Sequence, residues 1–340
     1  MLIFIVKPDL KNYKPQTNLS QNFVFLMFNN KLMSSNRRDF LKKTGLLASA
    51  VAFGSLASCN NEKAGSETKS DSGAATTTTP AAAGKPLGDF GLQLYTLRDD
   101  LPKDPKGILK QVAGFGYKQL EGFEGAMGLW WGMTAMDFKK YLDELGVTMV
   151  SSHCDTGKNF EKKAAEAAQV GLKYLINPYI GKQKTLDDYK KIAGQFNKNG
   201  EVCKKNGIRF AYHNHDYSFV QQDGQYPQDI LMANTDASLV DYEMDMYWVV
   251  TAGADPEAWL KKYSNRFRLC HVKDRSKTAK PEDHDASVDL GTGSIDYNKV
   301  LKTASENGVL YYIVEQERYD NSTPLKSAEI DAAYLKKMML

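Results

Sequence analysis

Four pairs of polar residues, each spaced i, i+2, mark the C-terminal half of this 340-residue chain: His213-Asn214-His215, Glu243-Met244-Asp245, His271-Val272-Lys273 and Glu315-Gln316-Glu317. Each pair closes a short apolar run. Three of the five histidines fall in these pairs, while His153 and Glu121 close two earlier runs. Side chains two apart on a strand share a face, so each pair can point to one side of a sheet. A lone strand-end His is ordinarily a hydrogen-bonded structural residue, and a lone carboxylate is ordinarily solvated. Imidazoles and carboxylates converging from consecutive strands are different: together they make an N/O donor set suited to Mn²⁺, Fe²⁺, Co²⁺ or Zn²⁺ rather than to Ca²⁺. The pattern predicts one divalent metal ion.

The elements that carry these pairs alternate. Strand-like runs at 91–95, 118–121, 147–152, 174–177, 208–213, 239–245, 267–271 and 310–315 are followed by helical patterns near 104–114, 134–145, 159–170, 185–206, 226–234, 254–263, 296–306 and 324–337. Leu145-Gly146-Val147 and Asn206-Gly207-Ile208 place a glycine between a helix end and the next strand, where it supplies a left-handed cap. Eight βα units over residues 87–340 predict an α/β fold of the (β/α)₈ TIM-barrel type as a single catalytic domain, with an open doubly wound sheet as the alternative. The segment after the first strand, Gln93-Leu94-Tyr95-Thr96-Leu97-Arg98, is no Gly-rich phosphate loop, so nucleotide binding lacks its main support. In a barrel, strand-end residues gather at the C-terminal mouth, where active sites are built.

Composition excludes other classes. The chain is 42% hydrophobic and 25% charged, with a net charge of +3 that comes from its N-terminal region: residues 1–58 hold eight Lys/Arg and two Asp/Glu, leaving 36 against 39 in the remainder. A slightly acidic body gives no electrostatic ground for a nucleic-acid partner. Residues 1–32 precede Met33, a second candidate start, and read as an extension. Residues 33–58 read as an export signal, with Arg37-Arg38 as a twin-arginine pattern before a modestly apolar run. Leu56-Ala57-Ser58-Cys59 resembles the lipobox of bacterial lipoproteins, which makes Cys59 the lipidation site and places the protein in the periplasm or cell envelope, held to a membrane only by lipid. Residues 59–86, rich in Ser, Thr, Ala and Gly, form a flexible linker. Cys154, Cys203 and Cys270 then remain, an odd number that predicts buried free thiols.

Taken together, Leu92–Arg98, Gly116-Tyr117-Lys118 with Glu121, Ser152-His153, Tyr212–Asp216, Asp245 with Trp248, His271–Asp274, Gly291–Asp296 and Val314-Glu315-Gln316 resemble the xylose-isomerase-like TIM barrels of the sugar phosphate isomerase/epimerase type. The resemblance covers roughly 90–340. It implies a divalent cation held by His213, Asp245, His271 and Glu315, with His213 standing where the family usually has Glu. It also implies proton abstraction next to a carbonyl of a polyhydroxylated substrate, with Glu315 as a ligand that doubles as a base, and His215 or His153 as the second acid/base group. Tyr95, Glu121, Trp130, Trp131, Trp248 and Lys273 are the candidate substrate contacts. Trp130 and Trp131, between Gly128 and Gly132, are expected as an exposed stacking lid. Asp274 is expected to reach substrate hydroxyls beside Lys273, and His284 to be solvated.

Phosphorylated sugars are cytoplasmic, so an exported protein of this kind is expected to act on an unphosphorylated sugar or glycoside. The readings are an isomerase or epimerase, a lyase that eliminates the aglycone of a 3-keto-glycoside, and a non-catalytic sugar-binding lipoprotein. Assembly of like chains into a homo-oligomer is left open.

Overall fold

A computed structural model describes residues 84–320 and 322–340. The signal segment, Cys59 and most of the linker lie outside the described residues. From residue 85 the chain is already tied down: Lys85 and Leu340 exchange backbone hydrogen bonds, and the Leu87 N–H donates to Met338 O.

Eight strands close into a barrel: β1 (Gly91–Gln93), β2 (Gln119–Phe123), β3 (Thr148–His153), β4 (Tyr174–Asn177), β5 (Arg209–His213), β6 (Val240–Asp245), β7 (Phe267–Val272) and β8 (Tyr311–Val314). Each pairs in parallel with its chain neighbours, and β8 closes on β1 through Gly91 opposite Ile313 and Leu92 opposite Val314. Every expected strand and helix is found, so the closed barrel prevails over the open sheet. The helices cover the outside and bury their apolar faces against the barrel in one large core. Gly146 (φ 66°) and Gly207 (φ 74°) take the left-handed turns expected of them.

Three departures bear on function. The first strand stops at Gln93 because its side chain accepts the Tyr95 N–H at 3.0 Å and winds Leu94–Leu97 into a 3₁₀ turn. A six-residue helix, Met246–Thr251, follows β6 directly, started by Asp245. Two-residue strands Asp274–Arg275 and Ser287–Val288 pair antiparallel and fold the chain after β7 over the barrel mouth.

Strand alternation decides what fills the barrel. Two residues before His213 and His271, on the same faces, stand Ala211 and Leu269, which pack with Tyr174 and Ile176 into a separate small cluster. The polar groups therefore sit one layer above an apolar floor. Register shifts occur at two places: Leu120 pairs with Met149 but Glu121 with Ser151, and Tyr242 pairs with Phe267 but Glu243 with Leu269. Each leaves one extra residue on the partner strand, a bulge beside a carboxylate of the site.

Candidate metal centre and active site

His213 ends β5, Asp245 ends β6, His271 lies one residue from the end of β7, and Glu315 directly follows β8. One donor atom from each lies within 4.8 Å of the other three, and all four residues are buried. His213 Nε2 is 3.2 Å from His271 Nδ1 and 3.5 Å from Asp245 Oδ2. His271 Nδ1 is 3.3 Å from Glu315 Oε2 and 3.6 Å from Asp245 Oδ2. Asp245 is fixed from behind: Asn214 brackets its backbone with two hydrogen bonds of 3.2 Å, and its Oδ1 accepts the Trp248 N–H.

The electrostatics suit a cation. Burial opposes ionising Asp245 and Glu315, yet Lys273 and His271 hold both carboxyls below their usual range. Burial also pushes His213 down to about 4, so its imidazole is neutral and carries a free lone pair. Lys273, itself buried, brings Nζ to 2.9 Å from Glu315 and 3.3 Å from Asp245. The decisive atom is Asp245 Oδ2, which is buried among these groups, makes no well-formed hydrogen bond and has Lys273 Nζ at 3.3 Å as its nearest cation. A buried anionic oxygen held only by so long an ion pair is under-satisfied, at a cost. A divalent ion fits the donor set and would satisfy it.

A second group shares His271. Glu121, His153, Glu243 and the other ring nitrogen of His271 also lie within 4.8 Å of one another. His271 Nε2 is 2.7 Å from Glu121 Oε1 and 3.4 Å from Glu243 Oε2, and His153 Nε2 is 2.8 Å from Glu243 Oε2. Burial opposes charge on His153, but Glu121 and Glu243 raise it to about 9. Burial opposes charge on His271, but Glu243 and Glu315 hold it well above the usual imidazole range; with Nε2–H donated to Glu121, a bound cation would take the place of the Nδ1 proton that faces His213, Asp245 and Glu315. Glu121 was expected to touch substrate, and the structure corrects this. It is fully buried, with Gln93 Nε2 donating to Oε1 at 2.7 Å and Ser151 Oγ to Oε2 at 2.5 Å. Its oxygens are taken up inside the barrel. Glu243 is the residue whose place the sequence reading missed, although its i, i+2 spacing from Asp245 already put it on the inward face.

The rim differs more from expectation. Trp130 and Trp131 are not an exposed lid: they are 6% and 2% exposed. Trp130 Nε1 donates to Glu166 at 2.9 Å and its ring packs on Phe138, while Trp131 meets the edge of Phe123 at 5.0 Å. Two adjacent indoles carry enough apolar area to fold their own loop inward, at the cost of a positive φ of 55° at Trp131. Asp274 also turns away from the mouth and accepts the backbone N–H groups of Arg275, Gly291, Gly293 and Ile295. It holds the 291–295 loop in place, and a Cβ at Gly293 would lie 2.1 Å from its Oδ1.

Tyr95 remains at the mouth, 39% exposed, edge-on to Phe123. His215 lies just beyond β5, stacked between Tyr217 and Trp248, its ring centre 5.1 Å from that of His213. Burial pushes its pKa well down and keeps it neutral. His284 is exposed as expected, but its Nδ1 meets Asp216 at 3.2 Å and its ring faces Trp248. Cys154, Cys203 and Cys270 are buried free thiols.

The xylose isomerase-like TIM barrel family model matches residues 109–338. The chain belongs to that family. The match agrees with the closed barrel. Inosose dehydratase of Clostridium perfringens is 29% identical over 179 residues, which cover 48% of this chain and 57% of that relative. The chain thus spans just over half the length of the curated relatives it matches. A sugar phosphate isomerase/epimerase from Parabacteroides distasonis is similar in structure, with a TM-score of 0.63 and 30% identity over 76% of this chain and 96% of that one. The IolI protein, solved with a bound zinc atom, shares the fold at a TM-score of 0.58 and 15% identity, covering 72% of this chain and 95% of that one.

Proposed function

We propose that this chain is a metal-dependent carbohydrate enzyme that removes a proton next to a carbonyl of an unphosphorylated sugar. One observation carries the reading: His213, Asp245, His271 and Glu315 each bring one buried donor atom within 4.8 Å of the other three. Bound there, a divalent ion supplies Lewis-acid polarisation of a substrate carbonyl. The chain's own residues do the rest. Asn214 and the start of the Met246–Thr251 helix fix Asp245, and Glu121 fixes the ring of His271.

Proton transfer is assigned to the two histidines that flank the group. His215 lies on the mouth side, and His153 lies deeper, with its ring centre 5.0 Å from that of His213. A proton taken at one face and returned at the other gives an epimer, and return to the neighbouring carbon gives an isomer. Glu315 is better placed as a ligand than as a base, because Lys273 Nζ and His271 Nδ1 both occupy its Oε2. Elimination is the second reading. It shares the first half-reaction and is favoured by the inosose dehydratases among the relatives.

The choice of an unphosphorylated sugar rests on the export reading of Arg37-Arg38 and Cys59. The test is proton exchange in deuterated solvent across free sugars, keto-sugars and 3-keto-glycosides. Deuterium at the carbon beside the carbonyl supports the proposal, and product identity separates epimer from elimination product. No exchange by metal-loaded protein with any of them would refute it.

A further inference from the structure

Lys273 directly follows β7, two residues on from His271, and its side chain enters the same buried group. Its backbone is pinned by Tyr297, whose hydroxyl accepts the Lys273 N–H at 2.8 Å and donates to the Lys273 carbonyl at 2.7 Å. An ammonium this deep is costly unless anions answer it. Three do. Nζ donates to Glu315 Oε2 at 2.9 Å and to Glu317 Oε1 at 2.5 Å, and Asp245 Oδ2 lies at 3.3 Å.

Asp245 and Glu315 are also two of the four residues that would hold the ion. Lys273 and a divalent cation therefore answer the same two negative charges, and as like charges side by side each weakens the other's hold. Glu317 is different. It stands outside the four-residue group, a third exposed, and offers the ammonium a partner that the ion does not take. There is also room on that side: Lys273 and Glu317 both line a cavity of about 130 Å³ beside Trp248. The rings of Tyr247 and Trp248 lie 4.9 and 5.2 Å from Nζ, and aromatic faces attract a cation.

A lysine bonded to a ligand carboxylate can serve to orient it, in which case its loss weakens the metal. Asp245 does not need that service. Asn214 brackets its backbone and the Trp248 N–H holds its Oδ1, so the carboxylate keeps its place without Lys273. What Lys273 supplies is charge. We propose that Lys273 is a built-in counter-ion of the metal centre: it balances Asp245 and Glu315 in the metal-free chain, so that the barrel folds before an ion arrives, and gives way toward Glu317 when a divalent cation binds. The inference rests on the metal reading above and adds how the site is filled.

The test measures Mn²⁺ and Zn²⁺ affinity of the full chain against a competing chelator, and urea denaturation with and without Mn²⁺, for the parent, Lys273→Met and Lys273→Arg. Lys273→Met should bind either ion at least tenfold more tightly than the parent, while its metal-free denaturation midpoint falls below the parent's. Saturating Mn²⁺ should bring the two midpoints together, because the ion replaces the missing charge. Lys273→Arg keeps the charge and should show no tenfold gain. Affinity in Lys273→Met equal to the parent's, or weaker, overturns the counter-ion in favour of an orienting role. A Lys273→Met protein that stays unfolded with Mn²⁺ present also overturns it, as does an equal gain in Lys273→Arg. If neither parent nor variant takes up any ion, the metal reading fails and this inference with it; uptake by both without the gain refutes this inference alone.

Discussion

Glu121→Gln should weaken the metal centre without removing it. The carboxylate lies behind His271, with Oε1 at 2.7 Å from Nε2, and both side chains are fully buried. Its two oxygens also accept from Gln93 Nε2 and Ser151 Oγ. An amide keeps one acceptor oxygen; with it on the Oε1 side, facing Gln93 and His271, its NH₂ faces Ser151 Oγ, which can turn to accept, so the substitution chiefly replaces charge-assisted bonds by neutral ones. Loss of such a partner typically costs 10- to 100-fold in metal affinity, about 1.4–2.8 kcal/mol. Replacing bonds to a charged acceptor by bonds to a neutral one adds a stability cost of about 1 kcal/mol.

Titration of apo-protein with Zn²⁺ or Mn²⁺ against a competing chelator reads the first quantity, and urea denaturation reads the second. Unchanged affinity in a folded variant would show that the Nε2 bond does not orient the ligand ring. Loss as complete as that in Asp245→Ala would show that Glu121 binds the metal directly.

His213→Glu should keep metal and lower turnover, because a carboxylate removes one unit of net positive charge from the bound ion, whereas His213→Ala should lose metal; unchanged metal content in His213→Ala would refute ligation. A third expectation concerns Asp331. Burial holds its carboxyl well above the usual range, Oδ1 accepts the Leu290 N–H at 2.7 Å, and Oδ2 has no partner. The folded state thus binds a proton that the unfolded chain releases, so this group's contribution to stability is full below the unfolded value and declines as pH rises toward the folded one. Asp331→Asn should therefore have a higher denaturation midpoint than the parent at about pH 8 and a matching one at about pH 4; a constant offset would contradict this. Cys59→Ser should move the protein from the membrane to the soluble fraction if Cys59 carries lipid, and an unchanged distribution would reject the anchor.

The barrel was legible because its signals repeat: apolar runs followed by amphipathic stretches, with Gly146 and Gly207 between them. The strand-end face that carries His213, Asp245, His271 and Glu315 was legible because i, i+2 spacing on consecutive strands fixes a common face, whereas the choice of these four within it came from the family resemblance. The inner pair was harder. Glu121 and Glu243 sit at register shifts, and a bulge depends on how two strands meet, which neither strand encodes alone. The loops were least legible. Trp130 and Trp131 resemble an exposed platform until Phe123 and Phe138 are in place to receive them, and Asp274 resembles a substrate contact until the 291–295 backbone closes around it. The cavity beside Trp248 depends on the fold-back of Asp274–Val288, for which no periodic signal exists.

Metal content tests the central claim most directly. Protein beginning near residue 85 should hold about one divalent transition ion per chain, as read by elemental analysis. Asp245→Ala and His271→Ala should each lose most of it, because each removes a donor that contacts the ion. Full occupancy in both variants, or a parent protein that binds no divalent ion after loading, would contradict the account.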